Sequence, residues 1–542
     1  MTLERWNGAA RIGAGLAPAR PARPIRPGER IHVLGIAGAG ASAAALHARA
    51  AGAIVSGCDP GGPSPYTAPL EMVGIPIATA HDPAHVTTGR PDRLAVTKAL
   101  TAISPDHPEL GAARAAGIPL EPWQQVVADA AHGRTLVAVA GTHGKSTTAG
   151  WVTWLLAEVG RDPSAFVGAL LPAALSGSVP ATARLGSGRA FVVEADEYAG
   201  NFDPYAPDVV ALTTVEWDHP DVFPDRAAVI EAFARWLDRV PAAAIVANLD
   251  DPGVVELLGA VGARAPRTGP IVGTSLTGTD PEGAGRPDGE GPGGDGLVIE
   301  RRITGALLEA TPDGSVLEVQ GVGARPRRVH LRAVGEHNAA NGLVAVATAL
   351  EVVRGAGASA AAGATSSAAA TEEDADRLLW ALGSFPGIGR RLERKGETGG
   401  VAVYDDYGHH PTAIRATLQA LRQREPGRRV WAVYEPLTFH RTAAMLGEFA
   451  DALAEADAVA VADIWASRDP DTTITSPAAL AAAVRARRPD IPSAAPGSVE
   501  QTAAWLARNV HAGDVVLVMG GGKSYRIAEL LVEALEGRPP DR

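Results

Sequence analysis

Cysteine is almost missing from the 542 residues: Cys58 is the only one. An intrachain disulfide and a multi-cysteine metal site are therefore both excluded, and this usage fits a reducing compartment. Basic residues are in deficit too, with 49 Lys plus Arg against 61 Asp plus Glu and a net charge of −12. That balance disfavours a generic nucleic-acid binder, which carries a basic surface, but leaves room for a locally positive pocket that takes an anionic metabolite. Nor does any apolar run approach the ~20 residues that span a bilayer. Residues 1–29 lack a signal-peptide core; they are rich in Gly, Pro and Arg, with Pro21, Pro24 and Pro27 spacing out the arginines, and predict an extended lead-in. No short-period repeat points to a solenoid. The expectation is a cytoplasmic protein with neither a membrane nor a nucleic-acid partner.

What is present is a globular composition, 46% hydrophobic and 20% charged, in a chain long enough for two to four domains. Three segments each begin with a strand signal. Ile31-His-Val-Leu runs into Gly35-Ile-Ala-Gly38-Ala-Gly40-Ala-Ser42, an Ala-rich helix to Ala51, and a second strand, Ile54 to Gly57, followed by Asp59. This is a βαβ nucleotide-binding pattern, although its G-x-x-G-x-G spacing is not that of dinucleotide enzymes. The second segment opens with strand Leu136 to Ala140, then Gly141-Thr-His-Gly-Lys-Ser, then a helix over 149–159, with further strands at Ala190–Val193, Val209–Leu212 and Ala244–Ala247. Strands alternating with helices imply a largely parallel sheet. Residues 266–296 read as a Gly/Pro-rich surface insertion and 355–370 as a flexible connector. A third α/β segment follows, with strands at Val401–Tyr404, Val430–Tyr434, Ala458–Ile464 and Val515–Met519. The predicted fold is α/β in three domains: an N-terminal Rossmann-like domain (1–132), a central P-loop ATPase-like domain (133–385) and a C-terminal Rossmann-like domain (386–542).

Chemistry concentrates after the strands. In Gly141-Thr142-His143-Gly144-Lys145-Ser146-Thr147 the glycines let backbone N–H groups turn inward toward a phosphate, and the following helix start adds partial positive charge. Lys145 supplies a cation for β/γ-phosphates, and the Ser146 hydroxyl suits Mg²⁺. Glu194, Asp196 and Glu197 follow a buried strand, so they are expected beyond its carboxyl end, facing the loop. Asp218-His219 follows the neighbouring strand in the same way.

In this order, G-T-H-G-K-S at 141–146, E-A-D-E at 194–197, D-H at 218–219, His337-Asn338-Ala-Ala-Asn341, Gly389-Arg-Arg391-Leu-Glu393 and Asp405-Asp-Tyr-Gly-His-His-Pro411 resemble the Mur ligase family. These are the ATP-dependent amide-forming enzymes of peptidoglycan precursor synthesis. The resemblance runs from about Ile31 to the C-terminus and is nearest to the members that join L-alanine to UDP-N-acetylmuramate. It implies that the first domain holds the UDP-sugar, with Gly35, Gly38, Ala39, Gly40, Ala41 and Ser42 at the diphosphate and Asp59 near the uridine. It implies ATP as cosubstrate, with His337, Asn338 and Asn341 at the base and Arg391 and Asp406 at phosphate and ribose. Mg²⁺ would be held by Ser146 and Glu194, with His219 suited to a second metal. Lys145, Glu194, His219 and His409 would be catalytic, and His410 and Arg441 would hold the muramyl group and the incoming amino acid.

The sequence departs from that pattern in places. Thr214 stands where asparagine is usual, Ala37 and Ala41 replace a glycine and a methionine, and Glu435-Pro-Leu-Thr438 replaces Gln-Pro-His-Arg. Two other readings stay open: a recycling ligase that adds a preformed tripeptide to the same sugar nucleotide, and a P-loop kinase or ATPase. The oligomeric state is open between monomer and homodimer.

Overall fold

Short runs of β-branched and small apolar residues, buried on both faces, build three separate sheets, and helices cover them. The computed structural model describes residues 12–177, 179–264, 266–276, 298–359, 371–466, 469 and 471–537.

The first sheet is parallel throughout, in the order Ile77–Ala78, Ile54–Cys58, Arg30–Leu34, Arg93–Val96, Leu120–Pro122. The lead-in has no regular structure over residues 17–26, as expected, but it is clamped to this sheet. Arg20 donates to Glu121 and Asp129, and Arg23 to Glu29. Beneath them the buried Arg93 meets Asp129 at 2.5 Å, Glu121 at 2.7 Å and Glu29 at 3.0 Å. Removing one member of a buried ion cluster leaves charges without partners, at a cost of about 3–5 kcal/mol. Arg93→Ala is therefore expected to lower the unfolding free energy by that order, read as a lower urea midpoint in a titration followed by circular dichroism.

Ten strands form the central sheet. Its middle is parallel, Ala244–Asn248, Val209–Leu212, Thr135–Ala140, Ala190–Ala195 and Ser164–Leu171, and antiparallel strands extend both edges. The chain leaves Thr135–Ala140 toward one side of the sheet and later returns to the other. The carboxyl ends of Thr135–Ala140 and its two neighbours thus flank a topological switch point, where open α/β sheets bind ligands. The helix after the loop runs Lys145–Glu158, four residues earlier than the pattern predicts, because Gly144 at φ +77° launches it directly. Trp151 on this helix stacks on Phe385 at 4.9 Å and donates to the Leu382 carbonyl, which locks the loop's helix to Glu372–Ser384.

Two readings need correction. The supposed surface insertion begins with a core strand, Ile271–Ser275, paired with Ala244–Asn248. Gly273 is part of the reason: a Cβ there would lie 2.4 Å from the Leu249 side chain, so this glycine serves packing rather than loop flexibility. The supposed connector begins inside a helix, Glu336–Ser359. An interior glycine costs a helix only about 1 kcal/mol against alanine, less than the packing of Leu350, Val352 and Val353 supplies nearby. The remainders of these two segments, 277–296 and 360–370, lie outside the described residues.

The third sheet runs Glu393–Thr398, Val401–Asp406, Asp514–Gly520, Arg429–Glu435, Ala458–Ala462, Ser493–Gly497, parallel except for its first strand. Both flanking lobes dock on the central one. From the first, Ser42 Oγ meets Thr182 Oγ1 at 3.0 Å, His47 reaches the Ala165 carbonyl, and Lys98 donates to the carbonyls of Ala199 and Gly200. From the third, Gln423 donates to the carbonyls of Thr311 and Gly314.

Candidate active site

A cavity of about 630 Å³ opens where the three lobes meet. Ala39 and Gly40 reach it from the first lobe; the phosphate loop, Glu194, Asp196, His219, His337, Asn338 and Asn341 line it from the second; Arg391, Asp406, His409 and His410 come from the third. Lys145 and the paired imidazoles at 409 and 410 thus share one chamber. Gly35, Ser42 and Asp59 are not among its walls: Ser42 is fully buried at the lobe interface, and the Asp59 carboxylate accepts from the backbone of Ala37 and Gly61, bracing the glycine turn. Arg441 sits just behind the chamber, in contact with wall residues Asp218 and His219.

The loop is shaped by close approach. A Cβ on Gly141 would lie 2.3 Å from Thr213 Oγ1, and one on Gly144 would lie 2.4 Å from Asn341 Oδ1. Thr214, the residue in place of the usual asparagine, accepts from the N–H of His143 through its hydroxyl and from that of Thr142 through its carbonyl. No side chain caps the helix that begins at Lys145, and none caps the first-lobe helix Ala39–Ala50. Each presents uncapped N–H groups and the positive end of a dipole, an arrangement suited to anions.

Lys145 Nζ donates to the Gly141 carbonyl at 2.6 Å and lies 3.1 Å from Glu197 and 3.5 Å from Asp196. Burial works against its charge, but Glu197, Asp196 and Glu194 outweigh it and hold the ammonium above the usual lysine range. Glu197 is driven the other way, up to about 7, because burial outweighs its lysine. Asp196, Glu197 and His219 offer ligand atoms within 4.8 Å of one another. The Ser146 hydroxyl is taken by Arg391 at 2.8 Å, and the Glu194 carboxylate by the Gly168 amide at 2.6 Å.

Across the chamber, Arg441 meets Asp218 at 2.5 Å and His219 Nδ1 at 3.1 Å. The guanidinium beside it holds the Asp218 carboxyl far below the usual range despite burial. Burial, with Arg441 adding to it, drives His409 well below the ordinary imidazole range; its Nδ1 bonds the Tyr407 carbonyl and so carries the proton, leaving Nε2 as the acceptor. His410 packs on His143 with ring centres 4.5 Å apart and the planes tilted by 42°, and it is lowered by burial and by that neighbour. Positive φ at His219, Arg390, Leu392 and Thr438, none of them glycine, collects backbone strain around this seam.

Several contributors escaped the sequence reading. Glu197 was visible in E-A-D-E, but nothing in the spacing made it the lysine's partner. Asp218 was quoted only beside His219, and its bond to Arg441 crosses lobes. Glu435 closes the strand Arg429–Glu435, buried, with the N–H groups of Gly522, Lys523 and Ser524 facing it; burial pushes its carboxyl up to about 7. A raised carboxyl stabilises the fold fully below its unfolded value near 4.5, and that contribution is lost as pH rises through about 7. Glu435→Gln should therefore match the parent at pH 4.5 and exceed it at pH 7.5 by on the order of 3 kcal/mol, measured by chemical denaturation across that range.

A phosphate loop at a switch point, roofed by two further α/β lobes, defines a nucleotide-dependent enzyme of the three-lobed ligase class. Sequence profiles agree: "Mur ligase family, catalytic domain" matches residues 30–135, "Mur ligase middle domain" 139–349 and "Mur ligase, glutamate ligase domain" 390–522. The chain belongs to the Mur ligase family. Curated relatives include the UDP-N-acetylmuramate–L-alanine ligase of Roseiflexus sp. (35% identical, covering 93% of this chain and 98% of that one). Another is the enzyme of the same name from Kineococcus radiotolerans (37%; 94% and 97%). Among solved structures, the UDP-N-acetylmuramate–alanine ligase of Thermotoga maritima has the same fold (TM-score 0.68, 22% identical, 93% and 98% covered). So does a murein peptide ligase from Psychrobacter arcticus (TM-score 0.66, 23%, 94% and 100%).

Proposed function

We propose that this chain joins L-alanine to the lactyl carboxylate of UDP-N-acetylmuramate at the expense of ATP, in peptidoglycan precursor synthesis. The observation that carries the reading is the single chamber that receives a sugar-lobe helix start, a phosphate loop and a pair of imidazoles, in a chain that aligns end to end with alanine ligases. Among the described residues no helix is long and apolar enough to cross a membrane, and the proposed place of work is the cytoplasm.

The chemistry follows from charge. A carboxylate and a triphosphate repel, so positive groups must bring them together before either reacts. Lys145 and Arg391 are the chamber's fixed cations, and the uncapped helix starts take up the two phosphate chains. The lactyl oxygen attacks the γ-phosphorus, ADP leaves, and an acyl phosphate forms. The alanine amine then adds to the acyl carbon, and phosphate departs with the oxygen that bound it. The ammonium of alanine must lose a proton first, and His409 Nε2 is the acceptor nearest in character, neutral and unprotonated. Asp196 and Glu197 with His219 offer mostly hard oxygen donors, a set that fits Mg²⁺, and Glu194 lines the same chamber. When bound, Mg²⁺ would neutralise phosphate charge there. His337, Asn338 and Asn341 face the third lobe's Asp406 across the chamber and form the proposed nucleoside slot. The walls from three lobes exclude water from the acyl phosphate.

The test is an acceptor panel. Purified protein with ATP, Mg²⁺ and UDP-N-acetylmuramate is offered L-alanine, glycine, L-serine or the L-Ala–γ-D-Glu–diamino-acid tripeptide, and the sugar-nucleotide product is weighed by mass spectrometry. The L-alanyl product, with phosphate release that needs both substrates, supports the reading. A tripeptide product assigns the chain to recycling, and release that ignores the sugar makes it an ATPase.

A further inference from the structure

We propose that the first lobe carries a zinc-class metal site, built by His32, Cys58, His85 and Glu109, on the face of its sheet away from the catalytic chamber. The site is independent of the reaction just described. Four elements supply it: His32 from the strand Arg30–Leu34, Cys58 from the end of its neighbour Ile54–Cys58, His85 from the short helix Ala84–Thr87, and Glu109 from the first turn of Pro108–Ala116. The pairing places Ser56 opposite His32 and Cys58 opposite Leu34, so His32 and Cys58 lie two residues apart along the sheet. One donor atom from each of the four lies within 4.8 Å of all the others.

The contacts to Glu109 come close to the edges of a coordination shell. Glu109 Oε1 lies 3.1 Å from Cys58 Sγ and 3.2 Å from His85 Nδ1, and Glu109 Oε2 lies 3.1 Å from His32 Nε2. With Zn–N near 2.0–2.1 Å and Zn–S near 2.3 Å, the edges of a tetrahedral shell are about 3.3–3.6 Å, so a small expansion seats an ion. His81 Nδ1, at 3.2 Å from Cys58 Sγ, stands by as a further donor. Hydrogen bonding alone serves this cluster badly. Oε1 of Glu109 is approached by Cys58, His81, His85 and the Asp82 amide together, more partners than its lone pairs can serve. Meanwhile Glu109 Oε2 and His32 Nε2, both in nearly fully buried residues, face each other at 3.1 Å without the alignment of a regular hydrogen bond. Buried polar atoms left in that state require an explanation, and a shared cation provides one.

Other features match what a metal site needs. One thiol, two imidazoles and one carboxylate favour zinc over magnesium. Ser56 Oγ, 2.9 Å from His32 Nδ1, orients that ring with Nε2 toward the cluster, as outer partners of metal-bound histidines do. His85, with Ser56, also lines a separate cavity of about 350 Å³, so one of the four donors borders open space. On binding, the Cys58 thiol releases its proton to water and the sulfur bonds the metal as thiolate. The consequence reaches the sugar lobe's loop, because the Cys58 carbonyl accepts from the N–H groups of Gly35 at 2.9 Å and Ile36 at 3.3 Å. A metal at Cys58 pins the strand end from which the glycine turn hangs.

Cobalt tests it. Full-length protein is stripped with a chelator and titrated with Co²⁺. The expected result is a near-ultraviolet sulfur-to-cobalt charge-transfer band with intense visible bands of tetrahedral cobalt, saturating at one equivalent and bleached by Zn²⁺. Cys58→Ser should lose the charge-transfer band, and His85→Ala should weaken Co²⁺ binding about tenfold or more, each with an unchanged far-ultraviolet spectrum. Lys145→Ala should keep the band. The acid and histidine clusters of the catalytic chamber contain no sulfur, so they cannot imitate this signal. Absence of a thiolate band in the parent protein, or a band of undiminished affinity in His85→Ala, overturns the proposal.

Discussion

Lys145→Ala is expected to fold and to lose catalysis, with ATP-dependent ligation falling by about 10³-fold or more, a barrier increase of about 4 kcal/mol. The reason is positional. Nζ is the cation at the mouth of the loop, held by the Gly141 carbonyl and flanked by Glu197 and Asp196. Among the described residues no other lysine lines the chamber, and Arg391 is already engaged with Ser146. Without the ammonium, the phosphates meet the carboxylates of Glu194, Asp196 and Glu197 with less positive charge to offset them. The fold should survive, because Glu197, already near pH 7 in its tendency to protonate, can neutralise itself once its partner is gone. Circular dichroism and melting temperature check the fold, and coupled phosphate release with both substrates checks turnover. Full activity in a folded variant would remove the loop from the site.

Arg441→Ala is expected to undo the seam between the second and third lobes. Arg441 and Asp218 are both buried, and the pair is 223 residues apart in sequence. Truncation strands the Asp218 carboxylate and takes the hydrogen-bond donor from His219 Nδ1, a loss of about 3–5 kcal/mol. Docking of the third lobe then fails in much of the population, and turnover should fall by about 10²- to 10³-fold. Small-angle scattering should show an enlarged radius of gyration in the variant. Asp218→Asn combined with Arg441→Ala should cost less than Arg441→Ala alone, since the asparagine replaces the carboxylate that loss of the arginine strands. Additive losses would mean that the two residues act separately.

Local patterns were legible where one stretch of chain carries a whole device. The phosphate loop, its strand and its helix are contiguous, and so are the acids that follow Val193, so their placement at the strand ends could be read directly. The cleft between lobes could not. Arg441 finds Asp218, Arg391 finds Ser146 and Gln423 finds Gly314 only after three sheets have formed and docked. Residues 271–275 misled because Gly and Pro around them outweigh a short Ile-Val pair in composition, while the strand's glycine answers to a packing neighbour, Leu249. The helix Glu336–Ser359 outran its glycines because packing of its earlier turns exceeds their intrinsic cost. In the first lobe, His32, Cys58, His85 and Glu109 follow no ligand-spacing motif, and only the sheet register and two short helices bring them together.

The most direct measurement follows an oxygen atom. UDP-N-acetylmuramate labelled with ¹⁸O in both lactyl carboxylate positions is turned over with ATP and L-alanine, and the released phosphate is weighed. An acyl phosphate formed in this chamber must send one labelled oxygen into the phosphate and leave the other in the new amide. Amide formation with unlabelled phosphate would contradict that route.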